Sequence, residues 1–507
     1  MKTLFSIRTI VQTIRKPRRR RAGNDRGVAL VVVLLLAVAL SAIGASLLML
    51  ANTETYASMN YRMMSQARYG AEAGVLRAAN YLTQTYTSPG QAGDPLAAYD
   101  MNASPVTYNG SPVVLSADPN KASNYPAAQV QSGFTTAAQG TLSAGQDVTY
   151  NVYATLITMR TITEYGALVP TVIQTWRLVG TGSLGATRPA TVEVTSVLER
   201  QVTPAHSFGV FATAAGCGAL TFTGGSSTDS YDSSSITMVN GQPVVQASGG
   251  GVGSNGNLNV SGGQTQINGS LSTPRTGVGN CKNGSVTAYS GGAAQVAEGI
   301  IQLPQSILYP APSPPSPLPP TGNISWSGSD CAQLGLSGTT CAGSPGALTL
   351  DPLGGTVSFG DVFLNGGATI HLKAGVYNLN SITVNGGAKI VIDTGPVILN
   401  VAGVGTNQPI SFAGNSISNP TFDPTNLHIL YGGTSTVSLS GSTDTALMLY
   451  APLAPVNLTG GSHIYGSIVG NQVSESGGTH FHYDRRLKND FLVAGAYMMS
   501  AFTWKKY

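Results

Sequence analysis

Residues 28–51, VALVVVLLLAVALSAIGASLLMLA, form a run of 24 residues without a charge. As a helix at 1.5 Å per residue this run spans about 36 Å, enough to cross a hydrocarbon core of roughly 30 Å with some tilt. Residues 1–27 ahead of it hold nine of the 26 Lys and Arg and one of the 22 acids. Such a basic flank stays on the cytoplasmic side and directs the remainder outward. That remainder carries 17 bases against 21 acids, so the overall net charge of +4 belongs to the leader and not to the body. A nucleic-acid partner inferred from net charge is therefore set aside.

Three readings fit the boundary. A secretory signal peptide has an apolar region of about 7–15 residues before small residues at the cut; Gly44-Ala45-Ser46 mimics such a site, but the apolar run is longer. An uncleaved anchor is the second. The third is a leader cut between Gly27 and Val28, before the apolar helix, and Arg26-Gly27-Val28 fits it best. That boundary in RGVALVVVLLLAVALSAIG at 26–44, followed by QARYGAEAGVLRAANYL at 66–82, resembles the type IV pilin-like proteins, specifically the PilX-type pilus assembly proteins. The resemblance implies removal of the leader by a prepilin peptidase and anchoring in a bacterial inner membrane by a single pass. It further implies assembly with other pilins and minor pilins into a pilus at the cell surface. Major pilins carry a Glu at mature position five, where it pairs with a neighbouring N-terminus; here that position is Val32. The departure points to a tip or accessory subunit over a bulk filament subunit.

Tyr56, Met59, Met63, Ala67, Ala71, Val75, Ala79 and Leu82 recur at helical spacing. The span is expected to continue outward as one helix to about residue 86, some 80 Å long, with Gly70 and Gly74 as places for a bend. Residues 87–145 are turn-rich and read as a surface excursion. DVTYNVYATLITMRT, TVIQTWRLVGTGSLG and ATVEVTSVLERQV then alternate apolar and polar residues. They predict a small antiparallel sheet on the helix, a pilin-like α+β domain over 87–205.

Only 9% of the chain is charged while Gly numbers 63, against a usual charged share of about 25%. From residue 206 onward a short unit repeats: LNVSGG at 258–263, FLNGGATI at 363–370, ITVNGGAKI at 382–390 and VNLTGGSHI at 456–464. Leu364 and Val384 are 20 residues apart, Leu439 and Leu458 are 19. A period near 20 with Gly turns predicts a β-solenoid (β-helix) over 346–487, with a β-sandwich of hairpins as the rival. A Gly/Ser-rich β lobe over 206–306 precedes it, joined by a Pro-rich linker with a Cys loop over 307–345. The terminal 488–507 is expected to cap the last coil. TGGSHIYGSIVGNQVSESGGTHFHYDRRL and YMMSAFTW also resemble domains attached to PilX-type proteins. The whole is α+β.

Cys217, Cys281, Cys331 and Cys341 lie in the part expected outside the cytoplasm. Their even number there reads as two disulfides, Cys217–Cys281 with Cys331–Cys341 being the preferred of three connectivities; no pair has the Cys-x-x-Cys spacing of a zinc site. His480, His482 and Asp484 alternate along a strand and are weak candidates for a metal. Acids between 206 and 487 are scattered, and only Asp229/Asp232 and Asp351/Asp361 lie close in sequence. No catalytic residue and no cofactor is assigned, and a β-helix enzyme acting on polysaccharide stays as an alternative, beside a membrane-anchored surface protein with no pilus role. A neutral, Ser/Thr/Asn-rich exterior points to carbohydrate or another surface as ligand.

Overall fold

The computed structural model describes residues 26–85, 96–143, 147–185, 189–292, 295–337, 339–441 and 444–506. The basic leader, up to residue 25, lies outside the described residues. Helix α1 (Arg26–Gln84) is 59 residues long and unbroken. It contains no Pro, and its Leu, Ala and Met favour helix. The helix runs without a break through Gly70 and Gly74. A Cβ at either would collide with Val148 or Tyr150, so both glycines admit the sheet instead.

From Met63 onward α1 packs, through Ala67, Ala71, Val75, Ala78 and Leu82, on an antiparallel sheet. The three anticipated strands form its centre as Asp147–Ile162, Thr171–Leu184 and Ala190–Pro204. Val114–Ser116 and Gln139–Ser143 both pair with the first of these. The stretch read as a surface excursion also supplies a helix, α2 (Ala128–Ala137), whose Phe134 is fully buried. Isolated apolar residues such as Val113, Leu115 and Phe134 enter the core without any periodic signal to announce them.

The region after residue 206 is mostly parallel sheet. Short strands pair in register with the strand one chain turn later, and inward residues line up in rows. One row runs Ile382, Ile410, Val437, Val456, Val473, Leu220, Leu258 and Tyr289, each nearly inaccessible to solvent. The order within that row matters. Strands of 206–306 do not stand apart but extend the 346–487 ladder beyond its last strands: Val210 pairs with Ile468, Leu220 with Val473 and Ser227 with His480. Chain made first thus stacks after chain made last.

This order gives the Pro-rich segment its path. After the strand Ile300–Gln302 the chain must return along the outside to begin the stack at Asn323–Ser325. On the way Ile307 N–H donates to Asn255 Oδ1 at 2.8 Å, the Tyr450 hydroxyl donates to Pro310 O at 2.7 Å, and Gly322 N–H donates to Asp361 Oδ2 at 3.0 Å. The path crosses ten strand spacings, about 48 Å, within reach of an extended Pro-rich strap. Beyond it, buried Trp326, the Cys331–Cys341 disulfide and the hairpin of Cys341–Ser344 with Ala347–Leu350 sit at the starting end of the stack.

The C-terminal segment does not cap the stack. Leu492–Lys506 leaves it and pairs antiparallel with Ala190–Pro204, forming an edge strand of the first sheet. Its near-continuous apolar run buries Val493 and Ala494 and packs Tyr497 and Met499 against the core of that sheet. The entire β-stack is consequently inserted between two neighbouring strands of that sheet.

Candidate functional site

Residues 28–62 of α1 are exposed throughout, apart from Gly44, which is partly covered. Val28, Leu30, Leu34, Leu40, Leu48 and Met49 are each at least 60% exposed, and the helix is long and apolar enough to cross a membrane. Three of its hydroxyls bond back to the helix, Ser46 to Ala42 O, Thr53 to Met49 O and Thr55 to Ala51 O, each at 2.8 Å. Such back-bonding lets a hydroxyl enter an apolar medium without an orphaned donor. Gly27 and Val28 lie in the first turn of the helix.

Cys217 is bonded to Cys281 and Cys331 to Cys341, and no described cysteine is free. The first disulfide ties a loop of the stack to the far-end segment around 276–292.

His480, His482 and Asp484 share one strand, His480–Asp484, and one face of it, yet they do not converge. His480 Nδ1 lies 2.6 Å from Ser227 Oγ. His482 stands between two partners, with Nδ1 at 2.5 Å from Asp229 Oδ1 and Nε2 at 2.8 Å from His463 Nδ1. Asp484 turns away to cap the next turn, accepting from Ser233 N–H and Arg486 N–H at 3.1 Å each. Its burial raises the carboxyl pKa above the usual range. Among the described residues no group of His, Cys, Asp or Glu is arranged to hold a metal.

What register does bring together is a ladder of rings. His463 pairs with His480 and Tyr465 with His482 on adjacent strands. The ring centroids of His463 and His482 lie 5.1 Å apart, nearly coplanar, and Tyr465 stacks on His482 at 4.4 Å. The hydrogen bonds close if His482 donates Nδ1–H to Asp229 and accepts from His463 at Nε2, both rings neutral. Burial, with the neighbouring His482, lowers the His463 pKa. Asp444, beside His463, accepts from Gln242 at 2.7 Å. His463 and Tyr465 escaped sequence reasoning, and Asp229 and Asp444 entered it only among the scattered acids. The signal for His463 was present in GGSH at 460–463 and GGTH at 477–480, which put both histidines at one repeat position.

The acid pairs noted in the sequence have local structural partners. Asp232 accepts from Ser234 N–H and Oγ, Asp351 from Leu353 N–H and Lys373 Nζ, and Asp361 from Asn380, Ser381 and Gly322 N–H.

Residues 376–490 match a family described as a domain of unknown function, DUF7305. That stretch covers about half of the strands of the stack and the histidine ladder. No curated protein matches the chain. Among solved structures, the competence-associated pilin ComZ from Thermus thermophilus is similar at 15% identity, covering 88% of this chain and 98% of that one, with a TM-score of 0.25.

Proposed function

We propose that this protein is a PilX-like minor pilin or pilus assembly subunit of a type IV pilus-like system. Prepilin peptidase removes the leader at Gly27, and the exposed apolar half of α1 resides in the inner membrane with the body outside. The helix then leaves lipid to pack among the helices of other pilins, in the filament or at its tip. The observation that carries this reading is the division of α1 into two halves, one bare and apolar, the other fixed to an antiparallel sheet. A helix exchanged from lipid to a helical core needs that division. The test is the N-terminal residue of the mature protein, by mass spectrometry on membrane and sheared-filament fractions. Val28 in both fractions is expected; a protein that keeps Met1 throughout would instead be an uncleaved surface anchor, and a start near Ala45 would be a released protein.

In this reading the parallel stack is a β-solenoid displayed at the surface, non-catalytic and adhesive. Support comes from one outward row, Ser411, Ser438, Asn457, Ser474, Thr221 and Asn259, on successive strands. None of these six is buried and none is charged. Hydroxyls and amides at the regular strand spacing of about 4.8 Å suit a neutral glycan chain better than a charged one. The double variant Asn457→Arg/Ser474→Arg is expected to lower binding of purified chain to insoluble neutral polysaccharide by about tenfold, a loss of about 1.4 kcal/mol. Unchanged binding, or no binding by the parent chain, would remove the adhesive part of the proposal and leave the pilin part standing.

A further inference from the structure

The stack meets the α1 sheet at an aromatic joint, and two histidines lie at its centre. His206 follows the strand Ala190–Pro204 as the chain crosses into the stack; His428 faces outward from the strand Leu427–Tyr431. Tyr165, from the loop after Asp147–Ile162, sits among them, with its ring centroid 5.2 Å from that of His206 and 5.7 Å from that of His428. Tyr450 and Phe491 complete the ring of neighbours, at 5.4 and 5.1 Å from Tyr165.

The two imidazoles differ in their partners. His428 Nε2 lies 2.8 Å from Thr425 O and its Nδ1 3.2 Å from the Tyr165 hydroxyl, which fits a neutral ring donating at Nε2 and accepting at Nδ1. His206 is completely buried, and neither of its ring nitrogens has a hydrogen-bond partner. A phenylalanine would fill the same volume without two orphaned polar atoms, so an imidazole here costs stability at neutral pH. Backbone bonding around the joint is sparse: Ala205 N–H to Phe491 O, Tyr165 N–H to Leu492 O and Ser313 N–H to Gly166 O, each 2.8 Å, while Ala494 N–H donates to the Glu164 carboxylate at 3.0 Å.

We propose that this joint is an acid-sensitive latch, in which protonation of His206 and His428 releases the β-stack from the α1 sheet while each part keeps its own fold. The groups facing the pair set the sign. Tyr165, Tyr309, Tyr450 and Tyr483 have phenol pKa values raised by burial and stay neutral at any acidic pH. Glu164 points its carboxylate to Ala494 N–H. Asp423 favours the charged form of His428, but it is ion-paired with Arg486 at 3.0 Å. Burial dominates: it holds His206 down to about 3, with His428 opposing a second charge, and His428 down to about 4. Both folded values lie below the ordinary 6.5. The closed joint is therefore fully favoured above that value and loses stability as pH falls through it toward the folded values. Elsewhere the stack is held by continuous ladders and the sheet by long antiparallel pairs, so the joint yields first.

The test is hydrogen exchange on the full chain in detergent micelles with disulfides intact, corrected for intrinsic rates. Between about pH 7.5 and about pH 5 the amides of Tyr165, Ala205 and Ala494 are expected to lose protection by about tenfold or more, while 446–451 and 171–184 keep theirs. His206→Phe, and separately His428→Phe, should move the loss down by roughly one pH unit. Protection that does not change in the parent chain overturns the proposal. So does an equal loss in both variants, or loss in joint, stack and sheet together.

Discussion

A Cβ at Gly182 would lie 2.0 Å from the carbonyl oxygen of Ala67, and one at Gly180 would lie 2.8 Å from Ala71 O. These two glycines let α1 lie directly on the sheet, with Ala67, Ala71 and Val75 at the contact. Here the residue matters for its missing side chain and not for backbone freedom, since neither has a positive φ. Gly182→Ala should therefore cost about 3 kcal/mol of stability through overpacking. Gly263, with open space around its Cβ position, is the control, and its alanine variant should change stability by less than about 1 kcal/mol. Thermal or denaturant unfolding of the two variants checks both values; equal losses would mean that the close approach does not matter. Polar residues repeat the theme of local duty. Buried Glu475 accepts from Thr223 N–H, Ser226 Oγ and Thr479 N–H, joining one coil of the stack to strands early in the sequence.

Among elements, the strand Leu492–Lys506 has the most distant partner in sequence. Its removal would leave Ala190–Pro204 as an open edge and delete Leu492 O and Ala494 N–H from the joint. Deleting 492–507 is expected to raise the protease cleavage rate within 190–204 by about tenfold or more, with cleavage in 373–470 unchanged; equal resistance of both regions would show that the edge strand is dispensable. Helix α1 and the central strands were legible because their periodicity is carried by contiguous residues, Val148, Tyr150, Val152 and Ala154 being an unbroken alternation. The repeat over 363–464 was legible because Asn-Gly-Gly recurs near one spacing. Stacking order was not. Leu220 and Leu258 pair directly yet lie 38 residues apart, because an excursion through 232–248 breaks the period, and local spacing carries no sign of which coil follows which. The terminal strand was illegible for the same reason: a near-continuous apolar run reports burial without naming its partner. A single histidine such as His206 gives no signal at all, since its meaning comes wholly from the rings around it.

On the scale of the whole molecule, two chain crossings, near 205 and 491, tie the stack to the sheet, and they lie side by side. The body is thus a cassette carried between adjacent strands of a helix-bound sheet, and its outward surface can vary without altering what α1 packs against. The insertion also fixes an order in time. Strands of 210–231 emerge from the ribosome well before the strands of 463–484 on which they lie, and Ala190–Pro204 emerges some 300 residues before its edge partner. Through all of that synthesis, the sheet beside α1 stands one strand short. It closes only when Leu492–Lys506 arrives, so completion of the sheet on which α1 lies reports that the β-stack has been made.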